Sequence, residues 1–146
     1  MISVIVPAHN EEAVIGHCLK ALLVAASHPC LYGEVVQIVV VMDCCTDDTR
    51  LVVGDYPVQG IVGRYRNVGK ARAAGSKYAL EQGTRWLAFT DADTVVPASW
   101  LVKQLGCGTD VVCGTVTDED WSLNNGDNSR PTVEKFAVLQ NFYAQR

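Results

Sequence analysis

Residues 35–41, VVQIVVV, are almost all β-branched, and this run decides the fold class. Apolar side chains on both faces of a strand are typical of a parallel sheet that helices cover from both sides. Residues 2–6, ISVIV, form a second run of the same kind. Between the two runs, apolar residues recur at helical spacing from Val14 to Ala26, which predicts a strand, a helix and a parallel strand in succession.

The same alternation continues along the chain. It predicts a helix from about Asp47, a strand near 58–62, a helix from Lys70 to Gln82 ended by Gly83, a strand at 86–90, a short helix begun by Pro97 and a strand at 111–116. Strands alternating with helices are typical of α/β proteins. We therefore expect an α/β fold with an open, mostly parallel, Rossmann-like sheet.

Composition and charge narrow the class of protein. With 49% hydrophobic residues in 146, the chain can form one domain with a substantial core. A net charge of −4 offers no basic face, so nucleic acid is excluded as a partner. No apolar run approaches the roughly 20 residues of a membrane helix. We expect a soluble protein, and peripheral association with a membrane and oligomer formation are left open.

The cysteines indicate the compartment. There are six, unevenly spaced, and two of them, Cys44 and Cys45, are neighbours. A chain that opens on a core-like strand without a secretory signal favours reduced thiols over disulfides. The sequence therefore predicts a cytoplasmic protein, at most attached to the inner face of the membrane.

Polar residues follow three of the predicted strands. They are Pro7 to Glu12 after the first strand, Asp43 to Asp47 after the second, and Asp91 to Asp93 after the strand at 86–90. Open parallel sheets bind ligands outside the carboxyl ends of their strands, so these segments predict a ligand site. Asn10 is also expected to cap the first helix, ahead of Glu11 and Glu12.

Asp91 and Asp93 stand one residue apart at the end of a buried strand. A hard divalent cation, Mn²⁺ or Mg²⁺, would relieve their repulsion and anchor a diphosphate. The competing interpretation is that Asp93 caps the following helix and Asp91 is merely solvated. The position at the ligand edge favours the metal.

Four segments, in order over residues 2–105, together resemble the inverting family 2 glycosyltransferases of the GT-A fold. VIVPAHNEEAVIGHCLKAL (4–22) is similar to the family's opening strand with its P-x-x-N-E-E turn, and FTDADTVVPASWL (89–101) to its D-x-D segment. RNVGKARAAGSKYAL (66–80) is similar to the N-x-G-x-x-x-A-x-N-x-G helix entry. VVVMDCCTDDT (39–49) is similar to V-D-D-G-S-T-D-x-T, with Met42 in place of the first acidic residue.

The resemblance implies a glycosyltransferase that binds a UDP or GDP sugar with a divalent metal on its diphosphate, and an acceptor that the sequence does not identify. It implies that Pro7, Ala8 and Glu11 line the nucleoside pocket and that Asp43 accepts a base N–H. By the same resemblance, Lys70 or Arg72 approaches the base or phosphates. Asp91, beside Ala92, is then expected to hold the ribose or the water shell of the metal, and Asp93 to be the principal metal ligand. Because Met42 replaces the first acidic residue of the motif, the identity of the nucleobase stays open.

Several of these residues have a structural alternative. Glu11 and Glu12 can stabilise a helix N-terminus through its dipole. Asp47 and Asp48 fit the first turn of a helix with Thr46 as its cap. Lys70 can be a solvated surface charge, and His9 can be a local hydrogen-bonding group.

An inverting transferase also needs a general base for the acceptor hydroxyl. In the resembled family this acid lies far downstream of D-x-D, and among the residues present Asp120 is the candidate. We therefore expect one GT-A-like donor-binding domain over 1–146, truncated at its C-terminus. It comprises a nucleotide-binding core at 1–116, then a loop and a helix at 117–146 that lead to an absent acceptor-side region.

Two other functions compete. A nucleotidyltransferase shares related sheet and metal chemistry, but it ordinarily has a glycine-rich, basic loop where this chain has PAHNEE. A non-catalytic nucleotide-sugar-binding fragment would explain the missing base. Fold alone does not separate this alternative from an enzyme.

Overall fold

The computed structural model describes residues 1–114 and the backbone of 137–138. Its elements, in chain order, are β1 (Ile2–Ala8), α1 (Ile15–Ala26), β2 (Val36–Asp43), α2 (Thr49–Gly54), β3 (Gln59–Gly63), α3 (Val68–Glu81), β4 (Trp86–Phe89), α4 (Trp100–Gly106), β5 (Val112–Cys113) and β6 (Ala137–Val138). A 3₁₀ turn, Pro29–Leu31, precedes β2. The chain forms two compact units, residues 1–102 and 103–146.

Four parallel strands of the first unit form one open sheet in the order β3-β2-β1-β4. β1 pairs with β2 from Ile2 opposite Val36 to Ala8 opposite Met42, and with β4 from Ile2 opposite Trp86. Every residue of β1 is buried, as expected for a central strand covered on both faces. This confirms the predicted parallel α/β sheet.

α3 covers one face of the sheet. Ile5, Val39 and Val41 form a buried cluster with Ala71 and Ala79 of this helix. The approach is close because Gly75 has no side chain: a Cβ at this position would lie 2.7 Å from Ile5 Cγ2 and 3.0 Å from Val41 Cγ2. α3 is thereby held directly beneath the carboxyl ends of β1 and β2.

α2 lies on the opposite face. A Cβ on Gly60 would lie 3.0 Å from Met42 Cε and 3.7 Å from Val53 Cγ1 of α2. Met42 alternates with Val41 along β2 and therefore points to the other side of the sheet. Met42 is thus part of the core.

Two predicted helix caps are wrong. α1 begins at Ile15 after Val14, so Asn10 does not cap it and the two glutamates lie ahead of its first turn. α2 is preceded by Asp48 rather than Thr46. In both cases the side chains bond to a neighbouring loop instead. α3 starts two residues earlier than predicted because Asn67 caps it, its Oδ1 accepting Lys70 N–H at 2.9 Å.

The second unit contains a two-stranded antiparallel pair, β5 with β6. Val112 of the predicted strand at 111–116 lies opposite Val138, and Cys113 lies opposite Ala137. The helix expected within 117–146 is therefore not formed at residues 137–138, where pairing with β5 outweighs the helical periodicity. The rest of that prediction, with the loop before it, lies outside the described residues, and the boundary at 116 stays a prediction.

In the part of the chain that the structure describes, none of the helices combines the length and apolarity needed to cross a membrane.

Candidate functional site

A cavity of about 770 Å³ opens where β1, β2 and β4 end. This is the edge at which open parallel sheets bind ligands. The cavity is lined by Pro7, Ala8, His9, Asn10, Glu11, Asp43, Cys44, Thr46, Arg66, Asn67, Val68, Ala71, Asp91, Ala92 and Asp93. Its wall therefore comes from the loops after all four strands of the first unit and from the start of α3.

Hydrogen bonds join the loops after β1 and β2 into what we call the loop clasp, residues 10–12 with 46–49. Asn10 Oδ1 accepts from Thr46 N–H at 2.7 Å, which explains why Asn10 is not a helix cap. Glu11 N–H donates to Thr49 Oγ1 at 2.8 Å. Glu12 both donates its N–H to Asp47 and accepts Asp48 N–H on its carboxylate at 2.7 Å.

Asp47 is the acceptor at the centre of the loop clasp. Its Oδ1 accepts the N–H and hydroxyl of Thr49, at 3.1 and 2.6 Å, while Oδ2 accepts Glu12 N–H at 3.1 Å. Burial raises the pKa of the Asp47 carboxyl, but these bonds, led by the Thr49 hydroxyl, outweigh it and leave the pKa below its ordinary value. Asp47 is therefore held ionised.

Asp43 ties the loop after β3 to the end of β2. Its Oδ1 accepts the N–H groups of Tyr65 and Arg66 at 2.6 and 3.1 Å, and Oδ2 accepts that of Asn67 at 3.0 Å. Burial raises the pKa of this carboxyl, but the three donors, Asn67 first, and the Cys44 thiol bring it below its ordinary value. An ionised, buried carboxylate thus fixes one side of the cavity.

Each of the first three loops places one residue in the left-handed backbone region. These residues are Asn10 (φ 57°), Cys44 (φ 56°) and Arg66 (φ 48°), and all three line the cavity. Non-glycine residues in this conformation are strained, and such strain concentrates at functional sites. The wall is thus built from specific loop conformations rather than from generic turns.

Negative charge gathers on the β4 side of the cavity. Asp91 and Asp93 are exposed, and Thr94 Oγ1 contacts Asp93 Oδ1 at 3.4 Å. Burial raises the pKa of the Glu11 carboxyl, and the negative charges of Asp93, Asp47 and Asp91 raise it further, while His9 opposes them. Three carboxylates from two separate loops therefore face one space and repel one another.

Arg72 of α3 supplies the positive charge nearest to this group. Its Nη2 lies 2.5 Å from Asp91 Oδ1, and the two side chains are 38% and 57% exposed. Arg72 Nε is buried and has no partner among the described residues. The guanidinium holds Asp91 through one nitrogen, and none of the described hydrogen bonds uses Asp91 Oδ2 or Asp93 Oδ2.

The residues on the β4 side fit a divalent metal. Carboxylate oxygens are the ligands that Mn²⁺ and Mg²⁺ prefer. Asp91 is paired with Arg72, whereas Asp93 has no partner among the described ion pairs. No group of three His, Cys, Asp or Glu within residues 1–114 is arranged to hold a metal by protein ligands alone. A cation held by Asp93 and Asp91 would therefore need oxygens from a ligand or water, as Mg²⁺-type sites commonly do.

Most of the predicted site residues share this cavity. Those that line it are Pro7, Ala8, Glu11, Asp43, Asp91, Ala92 and Asp93. Lys70 and Arg72 do not line it, although Arg72 reaches it through Asp91. The alternative in which Asp93 caps a helix does not hold, because α4 begins seven positions later at Trp100. Asp120 lies outside the described residues.

The sequence interpretation missed several residues of the cavity wall. Arg66 and Asn67 follow β3 directly, so the rule that identified the other loops also finds them once it is applied to this strand. His9 was expected to be a local hydrogen-bonding group, and its Nδ1 does lie 2.6 Å from Asp43 O. Since a carbonyl only accepts, Nδ1 is the donor of this bond.

The family model described as glycosyl transferase family 2 matches residues 3–144. Comparison with curated proteins found no match. Among solved structures, S. aureus TarS 1–349 shares 28% identity and a TM-score of 0.56 over 72% of this chain and 31% of that chain.

Other solved structures extend this likeness. TarS 1–349 in complex with UDP-GlcNAc shares 28% identity and a TM-score of 0.57, over 72% of this chain and 30% of that one. Glucosyl-3-phosphoglycerate synthase from Mycobacterium tuberculosis, in complex with Mn²⁺, UDP and glucosyl-3-phosphoglycerate, shares 22% identity and a TM-score of 0.54, over 73% and 38%. The second likeness concerns the fold alone. The chain spans under a third of the length of the TarS 1–349 chains.

Proposed function

Because the chain belongs to glycosyl transferase family 2, we propose that it holds the sugar donor of a glycosyltransferase. The donor is a nucleotide-diphosphate sugar, with UDP and GDP as the two candidate nucleotides. UDP is the first to test, since TarS structures 27% and 28% identical to this chain contain UDP and UDP-GlcNAc. The reaction proposed is transfer to an acceptor hydroxyl with inversion.

The observation that carries this proposal is the convergence of Glu11, Asp91 and Asp93 on one cavity at the carboxyl edge of the sheet. Asp91 is paired with Arg72, and a bound cation would offset the repulsion that Asp93 and Glu11 add to this cavity. A volume of about 770 Å³ lies within the usual range of small-molecule sites. A diphosphate with its metal supplies both the cation and the ligand that such a cavity fits.

The roles of the residues follow from their positions. Pro7 and Ala8 offer backbone and apolar surface to the nucleoside. Asp43 accepts a base N–H on Oδ2, the oxygen that accepts from one backbone N–H, at 3.0 Å, whereas Oδ1 accepts from two. Asp91 serves the ribose or the water shell of the metal, oriented by Arg72.

Asp93 is the proposed principal ligand of Mn²⁺ or Mg²⁺, with Asp91 beside it. A bound divalent ion offsets the charge that develops on a leaving diphosphate. Lys70 is exposed on the first turn of α3 and does not line the cavity. For this residue we propose only a contact with a phosphate from outside the cavity wall. Asp120 remains the candidate for the general base that deprotonates the acceptor.

A thermal-shift panel of nucleoside diphosphates, with and without Mn²⁺, tests donor binding. UDP or GDP at about 100 times its Kd should stabilise the chain by about 2.7 kcal/mol, a rise of several degrees in Tm. Asp93→Asn should abolish the part of the rise that depends on Mn²⁺. Glu81→Gln, an exposed carboxylate at the far end of α3, is the matched control and should behave like wild type.

No shift with any nucleoside diphosphate would refute donor binding. Pyrophosphate release from a nucleoside triphosphate and a sugar phosphate would instead identify a nucleotidyltransferase. Binding of nucleotide without donor hydrolysis or transfer by the full gene product would leave a non-catalytic module.

A further inference from the structure

The backbone of Glu11 is fixed on both sides of its Cα. Its N–H donates to Thr49 Oγ1 at 2.8 Å, and its carbonyl accepts from Val14 and Ile15 N–H at 3.1 and 2.9 Å. The second pair of bonds connects Glu11 to the start of α1. The Cα of Glu11 is therefore held at the cavity wall, which this residue lines.

Glu11 would not keep this position unaided. Asp91 and Asp93 line the same cavity as Glu11. Burial, followed by the negative charges of Asp93, Asp47 and Asp91, raises the pKa of the Glu11 carboxyl. A glutamate on a free loop would move into water to escape such neighbours. The bonds that fix its backbone oppose movement of the loop and keep Glu11 in the same cavity as the D-x-D pair.

The Thr49 hydroxyl both accepts and donates a hydrogen bond in the loop clasp. The oxygen accepts Glu11 N–H, and the proton is donated to Asp47 Oδ1 at 2.6 Å. Thr49 is fully buried, and Asp47 also accepts its backbone N–H and that of Glu12. Thr49 and Asp47 do not line the cavity, whereas Glu11 does.

We propose that Thr49 and Asp47 are positioning residues that hold Glu11 at the cavity wall, so that the donor diphosphate and its metal find its carboxylate in the same cavity as the D-x-D pair. This inference rests on the proposed function. It assigns to the loop clasp a part in donor affinity beyond its part in folding.

Two substitutions of Thr49 distinguish the effect of its hydroxyl on donor binding from an effect on folding. Thr49→Val keeps the shape and removes the hydroxyl, and Thr49→Ser keeps the hydroxyl. Calorimetric titration of UDP with Mn²⁺ should give a Kd about tenfold weaker for Thr49→Val, as expected for one lost hydrogen bond. Thr49→Ser should bind within about twofold of wild type, because the same bond is present.

Thr84→Val is the matched control. It removes a hydroxyl that lies 2.6 Å from Ser3 Oγ at the opposite edge of the sheet. We expect a lower urea midpoint for this variant with an unchanged Kd. A purely structural role for Thr49 predicts the same result for Thr49→Val, and that result would overturn the proposal.

A double-mutant cycle with Glu11→Ala tests whether Thr49 acts through Glu11. If it does, Glu11→Ala with Thr49→Val should bind no more weakly than Glu11→Ala alone. Additive losses would count against the proposal. If Thr49→Val does not fold, Asp47→Asn replaces it in the same cycle, with the same two outcomes.

Amide exchange adds a measurement that needs no nucleotide. Glu11 N–H should be protected in wild type and Thr49→Ser and should exchange fast in Thr49→Val, while equal protection in all three would contradict the proposal. If wild type binds no nucleotide, the proposed function fails and the inference fails with it. If wild type binds and the cycle is additive, the inference fails alone.

Discussion

Arg72 Nη2 lies 2.5 Å from Asp91 Oδ1, so an arginine of α3 carries the positive charge that touches the D-x-D pair. The sequence led us to expect a metal as the charge between Asp91 and Asp93. In the structure one of the two aspartates already has a cationic partner. Of the three carboxylates Glu11, Asp91 and Asp93, only Asp91 has a cationic partner among the described ion pairs.

Arg72→Gln should tighten the binding of Mn²⁺ alone. Removing a positive charge next to the acidic group favours a cation by about 1 kcal/mol in a solvated site, which is several-fold in Kd. The free energy of unfolding should fall by less than about 1 kcal/mol, because both partners are partly exposed. Paramagnetic resonance of free Mn²⁺ measures the Kd. Lys70→Gln, which breaks no described ion pair, is the control, and equal or weaker Mn²⁺ binding by Arg72→Gln would contradict the prediction.

The ion pair of Glu34 with Arg85 should make the free energy of unfolding depend on pH in the acid range. Glu34 accepts from Arg85 Nε and Nη2 at 2.6 and 2.5 Å, and these bonds lower the pKa of its carboxyl from 4.5 to about 2. A lowered pKa stabilises the fold above the unfolded value near 4.5, and the gain is lost as the pH falls through about 2. Since the pair is partly exposed, Glu34→Gln should cost about 1 kcal/mol at pH 7.

Urea unfolding of wild type and Glu34→Gln from pH 7 down to pH 2 checks this prediction. The difference in free energy of unfolding should be constant above pH 5 and disappear near pH 2. Glu81→Gln should show no such dependence. A difference that persists at pH 2 would mean that the carboxylate charge is not its source.

Gly75→Ala should destabilise the chain even though alanine favours helices. The new Cβ would lie 2.7 Å from Ile5 Cγ2 in a closely packed core, and such overpacking costs about 1–3 kcal/mol. The gain in helix propensity is about 1 kcal/mol. Gly54→Ala in α2 is the matched control, since nothing lies within 4 Å of its Cβ, and it should be neutral or stabilising. Stabilisation by Gly75→Ala would show that α3 packs less closely than described.

Thiol labelling should report on the cavity. Cys44 lines it, whereas Cys30 is exposed and does not line it. UDP with Mn²⁺ should slow the reaction of N-ethylmaleimide with Cys44 and leave Cys30 unaffected, as followed by peptide mass spectrometry. Equal rates for Cys44 with and without nucleotide would place the ligand outside this cavity.

Cys18 is the internal control in the same experiment. It is fully buried, and burial, followed by the charges of Asp93 and Asp91, raises the pKa of its thiol to about 12. Because the thiolate is the reactive form, Cys18 should stay unlabelled even at pH 9. Labelling of Cys18 in the folded chain would indicate that α1 opens away from the sheet.

The sheet could be predicted from the sequence because its signal is local. The apolar runs at 2–6 and 35–41 required covered parallel strands, and the polar segments after them identified the ligand edge. The helix starts were harder to predict. Asn10 and Thr46 are residue types that commonly cap helices, but here Asn10 Oδ1 accepts the N–H of Thr46, 36 positions away. A local sequence pattern does not reveal such a bond.

The same distinction explains the site. Asp43, Asp91 and Asp93 could be found because acidic residues follow strands. The loop clasp could not, since it consists of side-chain to backbone bonds whose partners are set only once β1 and β2 pair. Strand pairing also determined residues 137–138, where a helical spacing gives way to β6.

The attachment of three successive N–H groups, from Tyr65 to Asn67, to the one carboxylate of Asp43 leaves this loop no spare length. One inserted residue would either release a donor from Asp43 or pull Asn67 away from the start of α3. The connection between α1 and β2 has no such attachment to the cavity wall. Variation in loop length, in natural relatives or in engineered libraries, should therefore be tolerated at residues 27–35 and selected against at 64–67.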